Sequence, residues 1–246
     1  MGTGQEFIEK TRFEHLGPSD QYLGRTQPPL ERRNDGAGIP LPPAGDARPA
    51  AVDLTDAIAR RRSVRTYAAT PLPASVLSYL LWCTQGVQSV VGDDWTIRTV
   101  PSAGARHALE TYLLINRVDG VDPGLYHYAA LSNRLFRLQA PEDVADRIRA
   151  ACLNQPMITD AAAVFIWAAD IYRMTWRYGE RGYRYIFIDA GHACQNLYLA
   201  AEAVDCGVCA IGAFDDGAIN ALLGIDGREM FVIYCAAAGM RVLAED

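Results

Sequence analysis

Four arginines fall within six residues at Arg60-Arg61-Arg62-Ser63-Val64-Arg65. A guanidinium binds phosphate through two parallel N–H donors and keeps its charge at any working pH. A serine among them adds a hydroxyl donor. The plainer reading is the basic end of a surface helix, where the helix dipole favours positive charge. A second segment, Pro101-Ser102-Ala103-Gly104-Ala105-Arg106, follows an expected strand. Residues this small let a backbone lie close to a flat ligand, although a strand-to-helix turn needs no more. The third segment is Ala210-Ile211-Gly212-Ala213-Phe214-Asp215-Asp216. A glycine between a strand and a helix start presents free backbone N–H groups. Such donors serve a ring nitrogen or an anion, or simply form a tight connection.

Other chemistry-bearing residues fit functional patterns less well. Cys206-Gly-Val-Cys209 is a C-x-x-C pair, but redox pairs of that kind sit at helix N-termini, and this one falls where a helix runs into a strand. No second pair completes a zinc site. Asp189, His192 and Asn196 share one helical stripe and read as a buried hydrogen-bond network rather than a metal site. The other histidines, His15, His107 and His127, are scattered. Neither a phosphate-binding Walker loop nor a G-x-G-x-x-G turn is present, so a Rossmann-type dinucleotide site is not supported.

The elements that must position these segments follow from periodicity and punctuation. Residues 1–50 carry Pro28-Pro29, Pro40, Pro42-Pro43 and Pro49; proline fixes φ and lacks a donor, so this stretch is expected to be an extended arm. Phe7, Phe13, Tyr22 and Leu23 suit an arm wrapped over a partner subunit, the alternative being a disordered tail. Residues 51–246 form the folded domain. Asp53 caps a helix carrying Leu54, Ala57 and Ile58, and Pro73 opens another that runs to about Gln85. Strands are expected at Thr96–Val100, Glu110–Arg117, Leu125–Tyr128 and Arg134–Leu138, the last two forming a hairpin through Asn133. A helix from Pro141 to about Cys152 precedes a buried strand at Ala161–Ala169. Tyr183–Val204 is the longest helical pattern, apolar on most sides, with Gly207 ending it; such a helix belongs in a core or at a subunit interface. Val208–Ile211, a short helix capped by Asp215, and a strand at Met230–Ala237 complete the chain.

The bulk numbers bound the function. With 246 residues the chain is long enough for one domain with a full core. A net charge of −6 argues against general nucleic-acid binding. The most apolar run, Ala161–Ile171, is too short to span a bilayer, and the first residues lack the order of a signal peptide. A cytoplasmic location is therefore expected, with the six cysteines reduced and mostly in the core.

Taken together, these segments resemble the nitroreductase superfamily, and within it the SagB/ThcOx-type dehydrogenase branch. The likeness rests on Arg-Arg-Ser-Val-Arg at 61–65, Pro-Ser-Ala-Gly at 101–104, Tyr-Arg-Tyr at 183–185, Asp-Ala-Gly-His-Ala-Cys-Gln-Asn at 189–196 and Ala-Ile-Gly-Ala-Phe-Asp-Asp at 210–216. It covers residue 53 to the end. It implies an α+β fold with a central, mostly antiparallel sheet flanked by helices, and a homodimer with two FMN sites at its interface. Arg61, Arg62, Ser63 and Arg65 match positions that hold the FMN phosphate, ribityl chain and pyrimidine edge. Ser102 and Gly104 match a segment reaching the flavin from the partner chain. Gly212 and Ala213 match the loop whose N–H faces flavin N5, and Arg241 matches a second phosphate contact.

The implied activity is FMN-dependent oxidoreduction of a small molecule or modified peptide by hydride transfer through N5, with NADH or NADPH as a possible electron donor. A cation near 4 Å from the reduced, anionic flavin is worth up to roughly 4 kcal/mol at an effective dielectric near 20, on the order of 90 mV for a two-electron couple. The branch's best-known activity, oxidation of thiazolines or oxazolines in peptides, is associated with a lysine–tyrosine pair before Arg-Tyr. Here that pair reads Gly182-Tyr183: the tyrosine, a candidate catalytic group, is kept and the lysine is absent. Azoline oxidation and non-redox flavin binding on the same scaffold remain the alternatives.

Overall fold

The computed structural model describes residues 2–92 and 94–242. Its elements, in chain order, are helix α1 (Thr3–Lys10), strand β1 (Ile39–Pro40), α2 (Leu54–Arg60), α3 (Ala74–Gln85), β2 (Val87–Val91) and β3 (Trp95–Arg98). Then come β4 (Leu109–Ile115), β5 (Gly124–Ala129), β6 (Arg134–Arg137), α4 (Val144–Ala151), α5 (Met157–Asp160), β7 (Ala163–Asp170) and α6 (Ile171–Tyr178). The chain closes with α7 (Gly182–Glu202), β8 (Cys206–Ile211), α8 (Asp216–Leu223) and β9 (Met230–Met240).

Seven strands form one sheet in the order β1-β6-β5-β4-β7-β9-β8, every neighbouring pair antiparallel. The central strand β7 reads as an unbroken apolar run because both of its faces are buried. Phe165 and Trp167 pack into the core shared with α3 and α7, while Val164 and Ile166 face the core shared with α4 and α8. The expected α+β architecture is thus the one observed. Asp53 caps α2 through the Thr55 and Asp56 N–H groups, and Asp215 caps α8 through that of Ala218. Asn133 turns the β5–β6 hairpin at φ 50°.

Three sequence expectations need correction. The segment around Thr96 pairs only with β2, an unforeseen strand, in a separate two-stranded sheet. Gly207 does not end the long helix. Asp205 makes that turn at φ 53°, a conformation Asp tolerates better than most residues, and Gly207 lies inside β8. The helix α7 needs no such correction: Phe187 and Ile188 are about half exposed, so one stripe of the helix has no cover within the chain. The N-terminal arm, finally, is neither featureless nor loose. It contains α1, adds β1 to the sheet edge, and packs on its own chain. Gln21 N–H donates to the Trp176 carbonyl, and Trp176 Nε1 donates to that of Arg25.

The arm is also tied to a buried charge cluster beneath it. Glu110 Oε1 accepts from Arg173 Nη2 (2.6 Å) and from the Arg32 backbone N–H (2.8 Å), and Glu110 Oε2 lies 2.8 Å from His127 Nε2. Asn34 Oδ1 meets His127 Nδ1 at 2.8 Å. A buried carboxylate holding this many donors couples the arm to β4, β5 and α6 at once.

Candidate functional site

The arginine-rich segment leaves α2 at its C-terminus and runs beside the sheet edge. Ser63 bridges Val208 in parallel, and Val64 N–H donates to the Val208 carbonyl (2.9 Å). This approach is possible because Gly207 has no side chain. A Cβ built there would lie 2.5 Å from Val64 Cγ1 and 2.6 Å from Val64 Cβ.

Tyr198 of α7 organises the segment from below. Its hydroxyl accepts from the Ala210 N–H (2.8 Å) and meets Ser63 Oγ at 3.2 Å, and the Arg61 guanidinium sits over its ring at 5.0 Å. One turn further along α7, Glu202 pairs with Arg241, whose Nε also donates to the Cys206 carbonyl (2.9 Å). Residues four apart share a helix face, so Tyr198 and Glu202 place Arg61, Ser63 and Arg241 along one side of α7. Neither Tyr198 nor Glu202 stood out in the sequence; the only signal is their i,i+4 spacing.

The arginines differ in what they offer. Arg62 Nη1 donates to the carbonyls of Ala59 (2.8 Å) and Arg61 (2.9 Å). It closes the end of α2, the plainer of the two sequence readings, and that guanidinium nitrogen is committed. Arg65 is exposed; its charge partly offsets the upward push that burial gives the Cys209 thiol, which sets it beside β8. Gly212 and Ala213 follow β8 and are exposed. Gly212 has open space where a Cβ would stand, and the Gln155 side-chain amide braces the turn by donating to the Ala213 carbonyl (3.2 Å).

Ser102 and Gly104 lie elsewhere. Ser102 Oγ donates to Asp189 Oδ2 (2.5 Å) and accepts from the His107 N–H (2.9 Å), and Ala103 N–H donates to Asp189 Oδ1 (3.2 Å). Burial raises the Asp189 carboxyl above its ordinary value, and these two donors oppose the rise. Gly104 has φ 56° and packs against Arg177 and Tyr178. Asp189 and Tyr198 are nine residues apart on α7, about 13 Å along its axis. Within one chain, then, this loop and the arginine segment are not brought together.

Tyr183 is farther still, in the first turn of α7, stacked on Phe231 at 6.5 Å with rings 9° apart. Burial, then the carboxylates of Glu180 and Glu229, raise its phenol. The expected Asp189–His192–Asn196 network resolves into separate contacts. Asn196 donates to the carbonyls of Cys83 (3.0 Å) and Thr99 (3.4 Å), and His192 is exposed. Cys206 and Cys209 are three residues apart in one strand, so they face opposite sides of the sheet. Among the described residues no group of three or more His, Cys, Asp or Glu side chains is placed to hold a metal. No helix there is long and apolar enough to cross a membrane.

The chain is similar to known proteins in sequence and in fold. The pattern of the Nitroreductase family matches residues 58–239, more than half of the chain. A protein of Methanocaldococcus jannaschii named as a nitroreductase is 38% identical over 174 residues, covering 71% of this chain and 85% of that protein. The trifolitoxin-processing protein TfxB of Rhizobium leguminosarum bv. trifolii is 26% identical over 61% of this chain, which spans 42% of its length. A solved nitroreductase from Desulfovibrio desulfuricans, in complex with FMN, shares the fold with a TM-score of 0.55 at 18% identity, over 80% of this chain and 91% of that one. From the arginine segment locked onto β8, the antiparallel sheet and the family match, the chain is an oxidoreductase of the nitroreductase family.

Proposed function

We propose that the protein binds FMN and works as a cytoplasmic homodimer, reducing or dehydrogenating a small molecule or modified peptide. The observation that carries this reading is the donor set gathered by α7 and β8. The Arg61 guanidinium, the Ser63 hydroxyl and the Arg65 guanidinium stand along one segment, beside the open turn at Gly212 and Ala213. This set fits a phosphate monoester attached to a flat ring system: arginine forks suit phosphate, and a small-residue turn admits a ring edge. Arg62 is assigned to the helix end and Arg241 to a supporting contact shared with Glu202.

FMN, when bound, supplies two-electron hydride chemistry, so no acid–base triad is required of the protein. The protein's part is to hold and to tune. Arg61 and Ser63 anchor the phosphate, Arg65 neutralises charge at the pyrimidine edge, and the Gly212 and Ala213 N–H groups orient the ring. The partner's copy of the loop holding Ser102 and Gly104 completes the pocket, which accounts for its separation from the arginine segment within one chain. Phe187 and Ile188, exposed on α7, supply apolar surface for that pairing. Tyr183 is assigned to the substrate side.

One observation bears on the substrate. The residue before Tyr183 is Gly182, which packs against Met174 and Thr175 of α6, so the lysine associated with azoline oxidation is absent. This favours a reductase or dehydrogenase over an azoline oxidase, while the likeness to TfxB keeps peptides among the substrates to test. The purified protein should be yellow, release FMN on denaturation, and bleach with NADH, NADPH or its own substrate. Extraction of FAD, or failure to take up any flavin on reconstitution, would sink the proposal.

A further inference from the structure

We infer that Tyr198 is a positioning residue that turns the Ser63 hydroxyl hydrogen outward, as a donor to a phosphate monoester; this rests on the FMN reading above. The inference follows from hydrogen-bond polarity. Ala210 N offers only a hydrogen, so at 2.8 Å the Tyr198 oxygen accepts. The phenol has one hydrogen of its own, and Ser63 Oγ is the acceptor beside it at 3.2 Å. Tyr198 is 9% exposed, where an unspent hydroxyl hydrogen is costly, whereas Ser63 is exposed and free of that constraint. The chain of donors therefore runs outward, from Ala210 N–H to the Tyr198 hydroxyl to the Ser63 hydroxyl. The serine hydrogen is left pointing away from the protein toward an acceptor.

The neighbouring cation makes that acceptor a phosphate oxygen rather than a neutral carbonyl. The same tyrosine ring carries the Arg61 guanidinium at 5.0 Å, so one side chain places a fixed cation and a fixed donor side by side. A serine hydroxyl without such a relay can turn to donate or to accept. With the relay one lone pair is taken and the hydrogen is turned outward, which suits an anion. Val64 and Gly207 hold the backbone of the segment in place, so the relay acts on a hydroxyl already in position.

The test is a double-mutant cycle on flavin affinity in the full-length protein, read by quenching of flavin fluorescence with FMN and with riboflavin. Tyr198→Phe keeps the ring under Arg61 and removes the relay. It should weaken FMN binding about two- to tenfold, the loss expected for one neutral hydrogen bond, since the serine hydroxyl can still reach the phosphate. Ser63→Ala should weaken it at least as much, and the double variant no more than Ser63→Ala alone. Riboflavin, which has no phosphate, should bind all four proteins alike. Additive losses would mean that Tyr198 merely braces β8, and unchanged FMN affinity in Tyr198→Phe would mean no role; either overturns the inference while wild-type FMN binding leaves the proposed function standing. Equal losses for riboflavin would remove the phosphate assignment. If wild type binds neither flavin, both readings fall. Should Tyr198→Phe not fold, site-specific 3-fluorotyrosine at position 198 serves instead. As a stronger donor it should tighten FMN binding in wild type and leave Ser63→Ala unchanged; no tightening overturns the relay.

Discussion

Replacing Gly207 by alanine should detach the arginine segment from the sheet edge without touching any residue assigned to FMN. The new Cβ would lie 2.5 and 2.6 Å from Val64 Cγ1 and Cβ, about 1 Å inside an ordinary carbon–carbon contact of roughly 3.5–4.0 Å. Both close atoms belong to a residue whose N–H is bound to the Val208 carbonyl at 2.9 Å, so a rotamer change cannot clear the overlap at Cβ. The backbone of residues 63–65 must move outward by about the same 1 Å. Overpacking of this kind costs about 1–3 kcal/mol. In a chain of this size each kcal/mol lowers Tm by about 2–4 °C, so the expected fall is roughly 2–12 °C. The same shift would carry Ser63 Oγ, now 3.2 Å from the Tyr198 hydroxyl, beyond hydrogen-bond range. It would also draw Ser63 away from the phosphate, and one lost contact to a charged group is worth about 1.5–3 kcal/mol, or roughly ten- to a hundredfold in FMN affinity. Differential scanning fluorimetry of the apoprotein and flavin titration read the two effects separately. Adding Val64→Ala removes the contact at Cγ1 but not at Cβ, so rescue should be partial; Val64→Gly should do better. A Gly207→Ala protein with wild-type Tm and wild-type FMN affinity would refute the view that this close approach positions the site.

Three further outcomes are expected. Arg65→Ala should lower the potential of bound FMN by roughly 30–60 mV, taking about 1.5–3 kcal/mol for the lost contact and about 30 mV per 1.4 kcal/mol, while Arg61→Ala should mainly weaken binding; redox titration of both, with equal potentials in wild type and Arg65→Ala, would show the arginine to be misplaced. Burial alone would raise the Glu110 carboxyl, but Arg173 and His127 outweigh it and hold it well below the usual carboxylate range, so its contribution is complete above that range and is lost as pH falls through the folded value. Glu110→Gln should therefore cost about 3–5 kcal/mol in neutral urea titrations and narrow its gap to wild type in acid, with a constant gap refuting the assignment. Changing exposed Phe187 and Ile188 to aspartate should give a monomer by light scattering; a flavin-loaded wild-type monomer at low concentration would overturn the dimer.

Much of the fold was legible because local rules and tertiary packing agree. Asp53 and Asp215 bear cap residues directly before helical runs, Asn133 accepts the left-handed turn a hairpin needs, and β7 is apolar on both faces because both are buried. The arm was misread because its ordering is non-local. Arg32 and Asn34 are held by Glu110 and His127, far along the chain, and no short window of sequence contains both ends of such a contact. Gly207 looked like a helix stop because glycine commonly plays that part, whereas its service here is to Val64, more than a hundred residues away.

The chemistry divides in the same way. By themselves, the residue types at 61–65, 101–104 and 210–216 determined that the chain carries a cluster of guanidinium groups, a loop of small residues and a glycine-containing turn, since those properties belong to side chains and short peptides. Only the tertiary structure decided how they are shared out: Arg62 to the end of its own helix, Arg241 to Glu202, Ser102 to Asp189, and Arg61 and Ser63 to Tyr198. A guanidinium or hydroxyl spends its hydrogen bonds on whatever the fold brings within about 3 Å, and that neighbour is set by helix crossing and strand register, which sequence spacing does not encode.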